Sequence, residues 1–333
     1  MPARRPEYFS GLNFEMVTFA IICLANEDDT ILQAFLAHYL GMGATEIALF
    51  VDRAEDGMPV SLEHFSAQQR DRILLTYCDD GYWGAMGTPR PAMLEDRQRA
   101  VFNAYFRQCK QDWLLVCDAD EFLVSPEPLA EVLEHVPEEV SSVTFPPVEA
   151  VWGPGDDIDT AYGNSWFRAP FSDAAAWRRE SPGIYGCERF LMSGRGAVGH
   201  DDGKSMTRTN GDASRLNLHW ATVGKKIVSV PSRQVGAPLT SVCLVHFDAI
   251  NFSRWRRKFR RRGGWRGING GRGSKRRVRQ RRVVNFANLL GPNAGRIVFR
   301  RFYCLTARQL ALLQKQDLVQ QLQLFDPPRS RQD

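Results

Sequence analysis

The sequence has few of the features that mark a secreted, zinc-binding or membrane-spanning protein. Its seven cysteines stand singly and none forms a C-x-x-C pair, which favours buried thiols in a reducing compartment over disulfides or a zinc site. The apolar stretch 16–25 is too short to span a bilayer, and Glu7, Glu15 and the acids at 27–29 disfavour a signal peptide. No internal repeat is visible. We therefore predict a cytoplasmic globular protein.

Acidic residues are absent from residues 254–282, the basic segment, which contains 15 Lys or Arg. The whole chain has a net charge of +5, so the remainder is acidic. This asymmetry indicates an anionic partner. Trp255, Phe259 and Trp265 could stack on bases, but no RRM, helix-turn-helix or zinc pattern accompanies them. We predict peripheral attachment to the inner membrane face through anionic lipids, with nucleic acid as the less favoured partner.

Apolar runs alternate with stretches of helical spacing in the first part of the chain. The runs 16–25, 46–51, 73–77 and 113–117 predict strands, and residues 28–41 and 95–110 predict helices between them. This alternation indicates an α/β fold, a Rossmann-like and mostly parallel sheet flanked by helices. The pattern loosens after residue 126, where only 142–145, 216–219 and 241–247 suggest strands. Thr306 and Gln309 resemble a capping box that opens a final helix through about residue 324.

The strongest chemical signal is Asp118-Ala119-Asp120-Glu121, which directly follows the apolar run WLLVC. On an extended chain Asp118 and Asp120 point the same way, while Glu121 points to the opposite side. Paired carboxylates at a strand end suit Mn²⁺ or Mg²⁺, which coordinate substrate phosphates. Glu27 and Asp52 also follow strands, and ligands of open α/β sheets bind beyond such strand ends. We predict a metal-diphosphate site centred on Asp118 and Asp120.

Two other enzyme classes fit this pattern less well. A haloacid-dehalogenase phosphatase also has a D-x-D loop, but Phe122 stands where Thr or Val normally follows, and the strand comes late in the chain. A metal-dependent nucleotidyltransferase normally has a Gly-rich, basic loop after its first strand, and NEDD (26–29) occupies that place here. An acidic turn without a ligand is the simplest alternative to a metal site.

The residues NEDD (26–29), Asp52, Arg97-Gln98 and DADEFL (118–123) resemble those of family 2-like glycosyltransferases. More narrowly, they resemble the bacterial branch known as family 2-like or family 92-like. The resemblance extends over about residues 16–260, is looser at GKSMTR (203–208) and VHF (245–247), and is absent from the basic segment. It implies a GT-A fold, a divalent metal and a nucleotide-sugar donor. The implied reaction is a hexosyltransferase-like, inverting sugar transfer to a glycan or glycolipid, in cell-surface polysaccharide synthesis.

The resemblance also implies roles for single residues and a division of the chain. Residues 1–250 would form the GT-A domain, with a nucleotide-binding half at about 16–125 and an acceptor half at about 126–250. Residues 251–333 would form the basic segment and a helical extension. The third metal ligand would be a late histidine, His246 in preference to His219. Spacing does not select the catalytic base. The implied donor-binding residues are Asn26, Glu27, Asp52, Arg97, Lys204 and Ser205, and the candidate bases include Glu149, Asp156 and Asp202.

Overall fold

The computed structural model describes residues 16–52, 60–262 and 275–325 as strands in three sheets with helices packed on them. The strands are β1 (Phe19–Ala25), β2 (Glu46–Val51), β3 (Ile73–Tyr77), β4 (Trp113–Val116), β5 (Glu121–Val124), β6 (Ser142–Phe145), β7 (Pro147–Val151), β8 (Trp166–Arg168), β9 (Lys204–Arg208), β10 (Arg215–Leu216), β11 (Ala221–Val223), β12 (Lys226–Ile227), β13 (Ser229–Pro231), β14 (Cys243–His246) and β15 (Val319–Gln321). The α-helices are α1 (Asp29–Gly41), α2 (Ala67–Arg70), α3 (Asp80–Ala85), α4 (Leu94–Phe106), α5 (Leu129–Glu134), α6 (Ala174–Tyr185), α7 (Ser232–Val235), α8 (Phe252–Arg262), α9 (Lys275–Leu289), α10 (Pro292–Tyr303) and α11 (Ala307–Gln314). Short 3₁₀ helices cover Gly186–Leu191 and Leu239–Ser241.

The main sheet has seven strands in the order β13-β6-β9-β4-β1-β2-β3. All neighbouring strands are parallel except at β9, which runs antiparallel to both β4 and β6. The predicted α/β class with a mostly parallel sheet flanked by helices is confirmed.

Strand β1 is buried over its whole length, because its two faces pack into two different hydrophobic clusters. The side chains of Phe19, Ile21 and Cys23 pack with residues of α1, whereas Ala20 and Ile22 pack with residues of α4. Alternate residues of a strand point to opposite faces, so a continuous apolar run is what a sheet covered on both faces requires.

Some predicted boundaries are confirmed and others are wrong. Strands 46–51, 73–77 and 142–145 have the predicted bounds, and the capping box at Thr306 and Gln309 is present. The predicted helix 95–110 ends earlier, at Phe106. The final helix stops at Gln314, and the chain continues as edge strand β15 rather than as helix. The predicted strand 216–219 is reduced to Arg215–Leu216.

A second sheet, in the order β15-β8-β7-β14-β5, connects the strand-end acids with the later part of the chain. Strand β5 begins at Glu121, and in its antiparallel pairing with β14 Glu121 lies opposite His246. A further hydrophobic cluster, separate from the two on the faces of β1, contains Trp152 and Tyr185 together with Trp255, Val284 and Tyr303. Residues on both sides of the predicted division near residue 250 share this cluster, and it includes residues of the basic segment. No helix of the described residues is long and apolar enough to cross a membrane.

Candidate functional site

The chain turns at Ala119 and Asp120 instead of remaining extended, and this changes the position of Glu121. The backbone N–H of Glu121 donates to the carbonyl of Asp118 (3.0 Å), and the N–H of Asp118 donates to the Glu121 carboxylate (2.9 Å). The prediction that Glu121 points away from the aspartates is therefore wrong, since it assumed an extended chain. Glu121 is fully buried beside Asp118.

Lys204 joins the two acids. It is the first residue of β9, and that strand lies between β4 and β6, so its ammonium group reaches Asp118 (2.6 Å) and Glu121 (3.3 Å). Burial acts to lower the pKa of Lys204, but the two carboxylates outweigh it and raise the pKa. Burial likewise acts to raise the pKa of Glu121, but the charge of Lys204, together with the hydrogen bond from His200 and the charges of His200 and His246, outweighs it and lowers this pKa. Lys204 and Glu121 are therefore charged at neutral pH.

A histidine pair adjoins Glu121. His200 Nε2 lies 3.0 Å from the Glu121 carboxylate, and the rings of His200 and His246 are 4.6 Å apart. Burial acts to lower the pKa of His200, but the hydrogen bond and charge of Glu121 raise it. The Nδ1 atoms of His200 and His246 are buried, and neither has a hydrogen-bond partner in the described part of the chain.

Glu121, His200 and His246 are the one group of described residues with three ligand atoms within 4.8 Å of one another. The predicted set of Asp118, Asp120 and His246 is not gathered at that spacing. His200 was not among the candidate ligands predicted from the sequence. It lies in the loop 199–203, where no periodic pattern indicates its position.

His219, the alternative late ligand, is engaged differently. Its Nδ1 lies 2.8 Å from the carbonyl oxygen of Gly203, and its own carbonyl accepts a hydrogen bond from the Ser205 hydroxyl (2.6 Å). Burial, together with the charges of Lys204 and His200, lowers the pKa of His219 to about 4. His219 is thus a neutral residue that donates to the backbone at the entry to β9.

The acids after β1 and β2 are also matched by cations. Asp52 is buried and accepts from Arg90 (2.7 Å) and Arg97 (2.8 Å), so the predicted donor residues Asp52 and Arg97 lie together. Asn26 is exposed next to Glu27. Gln98, the neighbour of Arg97 on α4, donates from its side-chain amide to Asp118 (2.7 Å).

Helix α8, at the start of the basic segment, supplies the remaining cations. Lys258 lies 3.2 Å from Asp120 and 3.4 Å from Asp248, and Arg254 lies 3.5 Å from Glu27. Burial and the nearby charge of Asp120 raise the pKa of Glu27. The sequence motifs did not predict the contacts with Asp120 and Glu27, because these join residues more than a hundred positions apart.

Asp28 also pairs with α8, through Arg254 and Arg257. Although Asp28 is the N-cap residue of α1, its side chain makes no capping hydrogen bond. The side chain of Asp28 therefore does not cap α1, because it pairs with the arginines of α8 instead.

The three candidate bases have different surroundings. Glu149 is buried, pairs with Arg168 (2.5 Å) and accepts from the N–H of Gly199 (2.6 Å). The carboxylate of Asp156 accepts from the N–H of Gly153 (2.8 Å) and from Ser165. Asp202 is exposed, two residues before Lys204. Glu149 and Asp156 thus hold loops together, while Asp202 faces solvent next to the site.

No known protein family matches the sequence, and no curated protein matches it. Several solved structures are similar at low identity. A mannosyltransferase from Pyrobaculum calidifontis in complex with GDP-Man and Mn²⁺ has 10% identity and a TM-score of 0.36, over 94% of this chain and 79% of that chain. Glucosyl-3-phosphoglycerate synthase from Mycobacterium tuberculosis, in complex with Mn²⁺, UDP and glucosyl-3-phosphoglycerate, has 9% identity and a TM-score of 0.27, over 61% and 63%.

A mycobacterial protein has 11% identity and a TM-score of 0.29, over 58% of this chain. The chain spans about half the length of that protein (54%). Because all these TM-scores are below 0.5, these similarities do not establish a function for this chain.

Proposed function

We propose that this chain transfers a sugar from a nucleotide-sugar donor to a glycan or lipid-linked acceptor with the help of Mn²⁺ or Mg²⁺. The observation that carries this proposal is the convergence of acids and cations at one edge of the main sheet. Glu27, Asp52 and Asp118 each follow a different strand of that sheet, at the edge where open α/β sheets bind ligands. Each of the three is paired with Lys or Arg.

The donor set suits a divalent cation. Asp118 and Asp120 offer carboxylate oxygens, which Mn²⁺ and Mg²⁺ prefer, and both side chains are partly exposed. The buried, unpartnered Nδ1 of His246 is an unsatisfied polar atom that a ligand could satisfy. We propose that Asp118, Asp120 and His246 would hold the ion; because the three are not gathered at ligand spacing in this structure, they would have to approach one another when it binds. When bound, the ion would neutralise the charge that develops on the departing nucleoside diphosphate.

The remaining residues fit the two ends of the donor. Asn26, Glu27 and Asp52 would accept hydrogen bonds from the nucleoside, because amide and carboxylate oxygens pair with base N–H groups and ribose hydroxyls. Arg97, Arg254 and Lys258 lie beside these acids and would bind the diphosphate oxygens. Lys204 would hold Asp118 in place through its ion pair, while Ser205 anchors the neighbouring loop through the carbonyl of His219.

We propose an inverting transfer with Asp202 as the base. The acceptor hydroxyl oxygen bonds to the anomeric carbon as the bond from that carbon to the diphosphate breaks, and the base accepts the hydroxyl proton. Asp202 is preferred to Glu149 and Asp156, because those two already bind Arg168 and backbone N–H groups. A hexose donor and a role in cell-surface polysaccharide synthesis are part of the same proposal.

The nucleic-acid alternative loses support from the same contacts. Arg254 and Lys258 lie at the acids of the proposed donor site, so this part of the basic segment is accounted for without a nucleic acid.

The metal site can be tested by calorimetric titration of the full chain with UDP and GDP in the presence and absence of Mn²⁺. We expect Asp120→Asn to lower Mn²⁺-dependent nucleotide affinity at least about tenfold, since one carboxylate ligand is lost. Asp96→Asn is a matched control, because Asp96 is an exposed acid on α4 paired with Arg99. Equal affinities in all three proteins would refute the proposed metal site.

A further inference from the structure

The corner between α9 and α10 presents large apolar side chains to solvent. The exposed fractions are 64% for Phe286, 86% for Leu289, 64% for Leu290 and 61% for Ile297. We call these four residues the apolar corner. They are among the most exposed large apolar side chains of the described chain, and they occur within twelve residues of sequence. Single exposed apolar residues are ordinary on protein surfaces, but a contiguous group indicates a binding surface.

The geometry of α9 explains the grouping. Phe286, Leu289 and Leu290 are spaced i, i+3 and i+4 and therefore share one face of the last turn. Val284 and Ala287 lie on another side of α9 and are buried. Val284 belongs to the hydrophobic cluster that also contains Trp255 and Tyr303. Helix α9 is thus packed against the protein on one side, and the apolar side chains at its C-terminal end are exposed to solvent on the other side.

The sequence around the apolar corner is cationic, although Arg296 and Arg301 pair with acids from earlier in the chain, Asp159 and Glu188. Residues 249–316 contain 20 Lys or Arg and no Asp or Glu. Arg282 lies one turn before Phe286 on the same exposed face, and Arg300 and Arg301 lie one turn after Ile297 on α10. Arg301 is 67% exposed although it pairs with Glu188.

We propose that the apolar corner inserts into an anionic lipid surface, with the surrounding arginines bound to the headgroups. A lipid surface of this kind satisfies both features at once, because apolar side chains enter the acyl boundary while cations contact phosphate. A second copy of this chain would set positive charge against positive charge. Nucleic acid would bind the cations but would leave the apolar corner in water. Insertion does not depend on the proposed sugar transfer.

The test is co-sedimentation of the full-length protein with vesicles of phosphatidylcholine alone or mixed with phosphatidylglycerol. The variant is Phe286→Ser, Leu289→Ser and Leu290→Ser combined. The control is Phe190→Ser with Ile227→Ser, residues that are 52% and 53% exposed and lie outside the apolar corner. We expect wild type and control to bind the anionic vesicles, and the triple variant to bind them at least about tenfold more weakly.

A second variant, Leu289→Asp, tests the same point with one change at the most exposed position, and it should also weaken binding. Equal vesicle binding by the triple variant and wild type would overturn insertion and leave a purely electrostatic contact. A wild-type dimer that the triple variant abolishes would overturn the lipid partner in favour of a second copy. An oligonucleotide shift weakened by the triple variant, without vesicle binding by wild type, would overturn it in favour of nucleic acid.

Discussion

The ammonium group of Lys204 is buried, yet it carries a charge because it lies between Asp118 and Glu121. Removing one partner of a buried ionic group leaves the other charges uncompensated, and this usually costs about 3–5 kcal/mol. Lys204 therefore serves the fold as well as the site: without it, Asp118 would lose its ion pair and Glu121 would keep only the contact with His200.

We expect Lys204→Met to lower the free energy of unfolding by about 3–5 kcal/mol at neutral pH, measured by urea denaturation. Lys258→Met is the control, since Lys258 is 24% exposed and its ion pairs are partly solvated, so its loss should cost less than about 1 kcal/mol. A Lys204→Met protein with the wild-type midpoint would show that the buried pair contributes no stability.

The sequence placed Asp52 and Asp118 at strand ends, because strand ends can be read from apolar runs, whereas Arg97 and Lys204 were implied only by the family resemblance. The structure pairs Asp52 with Arg97 and Asp118 with Lys204. The inward position of Glu121 was not predictable, because it depends on a turn that no Gly or Pro marks.

Among the elements, β2 and β3 have their predicted bounds, whereas the predicted strands 16–25 and 113–117 extend beyond β1 and β4. The late elements were not predicted to the residue, because β10, β11 and β12 have only two or three residues and no periodicity. Strand β9 is intermediate in how well it was predicted, because GKSMTR (203–208) was found only through the family resemblance. In the sheet, β9 lies between β4 and β6, and this position brings Lys204 to the site.

Gly203 controls the entry to β9. Its φ is +73°, a left-handed conformation that favours glycine, and a Cβ here would lie 2.1 Å from the carbonyl oxygen of Phe145. We expect Gly203→Ala to lower the free energy of unfolding by about 3 kcal/mol or more, because β9 must move away from β6. Thermal unfolding followed by circular dichroism measures this.

Gly183→Ala provides the comparison. Gly183 lies inside α6, its φ is not in the left-handed region, and a Cβ there would meet nothing within 4 Å. Alanine should therefore leave the free energy of unfolding unchanged or raise it by up to about 1 kcal/mol, and the melting temperature should not fall. If the two variants had the same melting temperature, the close approach at Gly203 would not constrain β9.

At the scale of the whole molecule, the sequence predicted the main sheet but not the second sheet or the packing of α8 on the strand-end acids. The main sheet is built largely from consecutive βαβ units, whose pattern is local. The second sheet pairs Glu121 with His246, and α8 pairs Arg254 with Glu27. Such long-range pairings leave no periodic signal, so the cations that neutralise the site could not be assigned from the sequence.

The ionisable groups around Lys204 together set how the stability of the molecule depends on pH. The pKa of His219 is lowered from 6.5 to about 4 in the folded chain, so unfolding binds a proton and stability falls as pH drops from 6.5 to 4. The pKa of Glu121 is lowered below its ordinary 4.5, so its contribution is present above pH 4.5 and is lost below it. The pKa of His200 is raised above 6.5, so its contribution is complete below pH 6.5 and is lost as pH rises through the folded pKa.

These signs predict maximum stability near pH 6.5 to 7, with a steady decline toward pH 4 and a steeper one below it. Urea denaturation at a series of pH values should show a loss on the order of 2 kcal/mol between pH 6.5 and 4. His219→Gln should flatten this interval, because glutamine can still donate to the Gly203 carbonyl but binds no proton. Its decline below pH 4 should remain, since Glu121 still loses its charge beside Lys204. An unchanged slope between pH 6.5 and 4 in His219→Gln would mean that another group takes up the proton, and that His219 is not held neutral by burial beside Lys204.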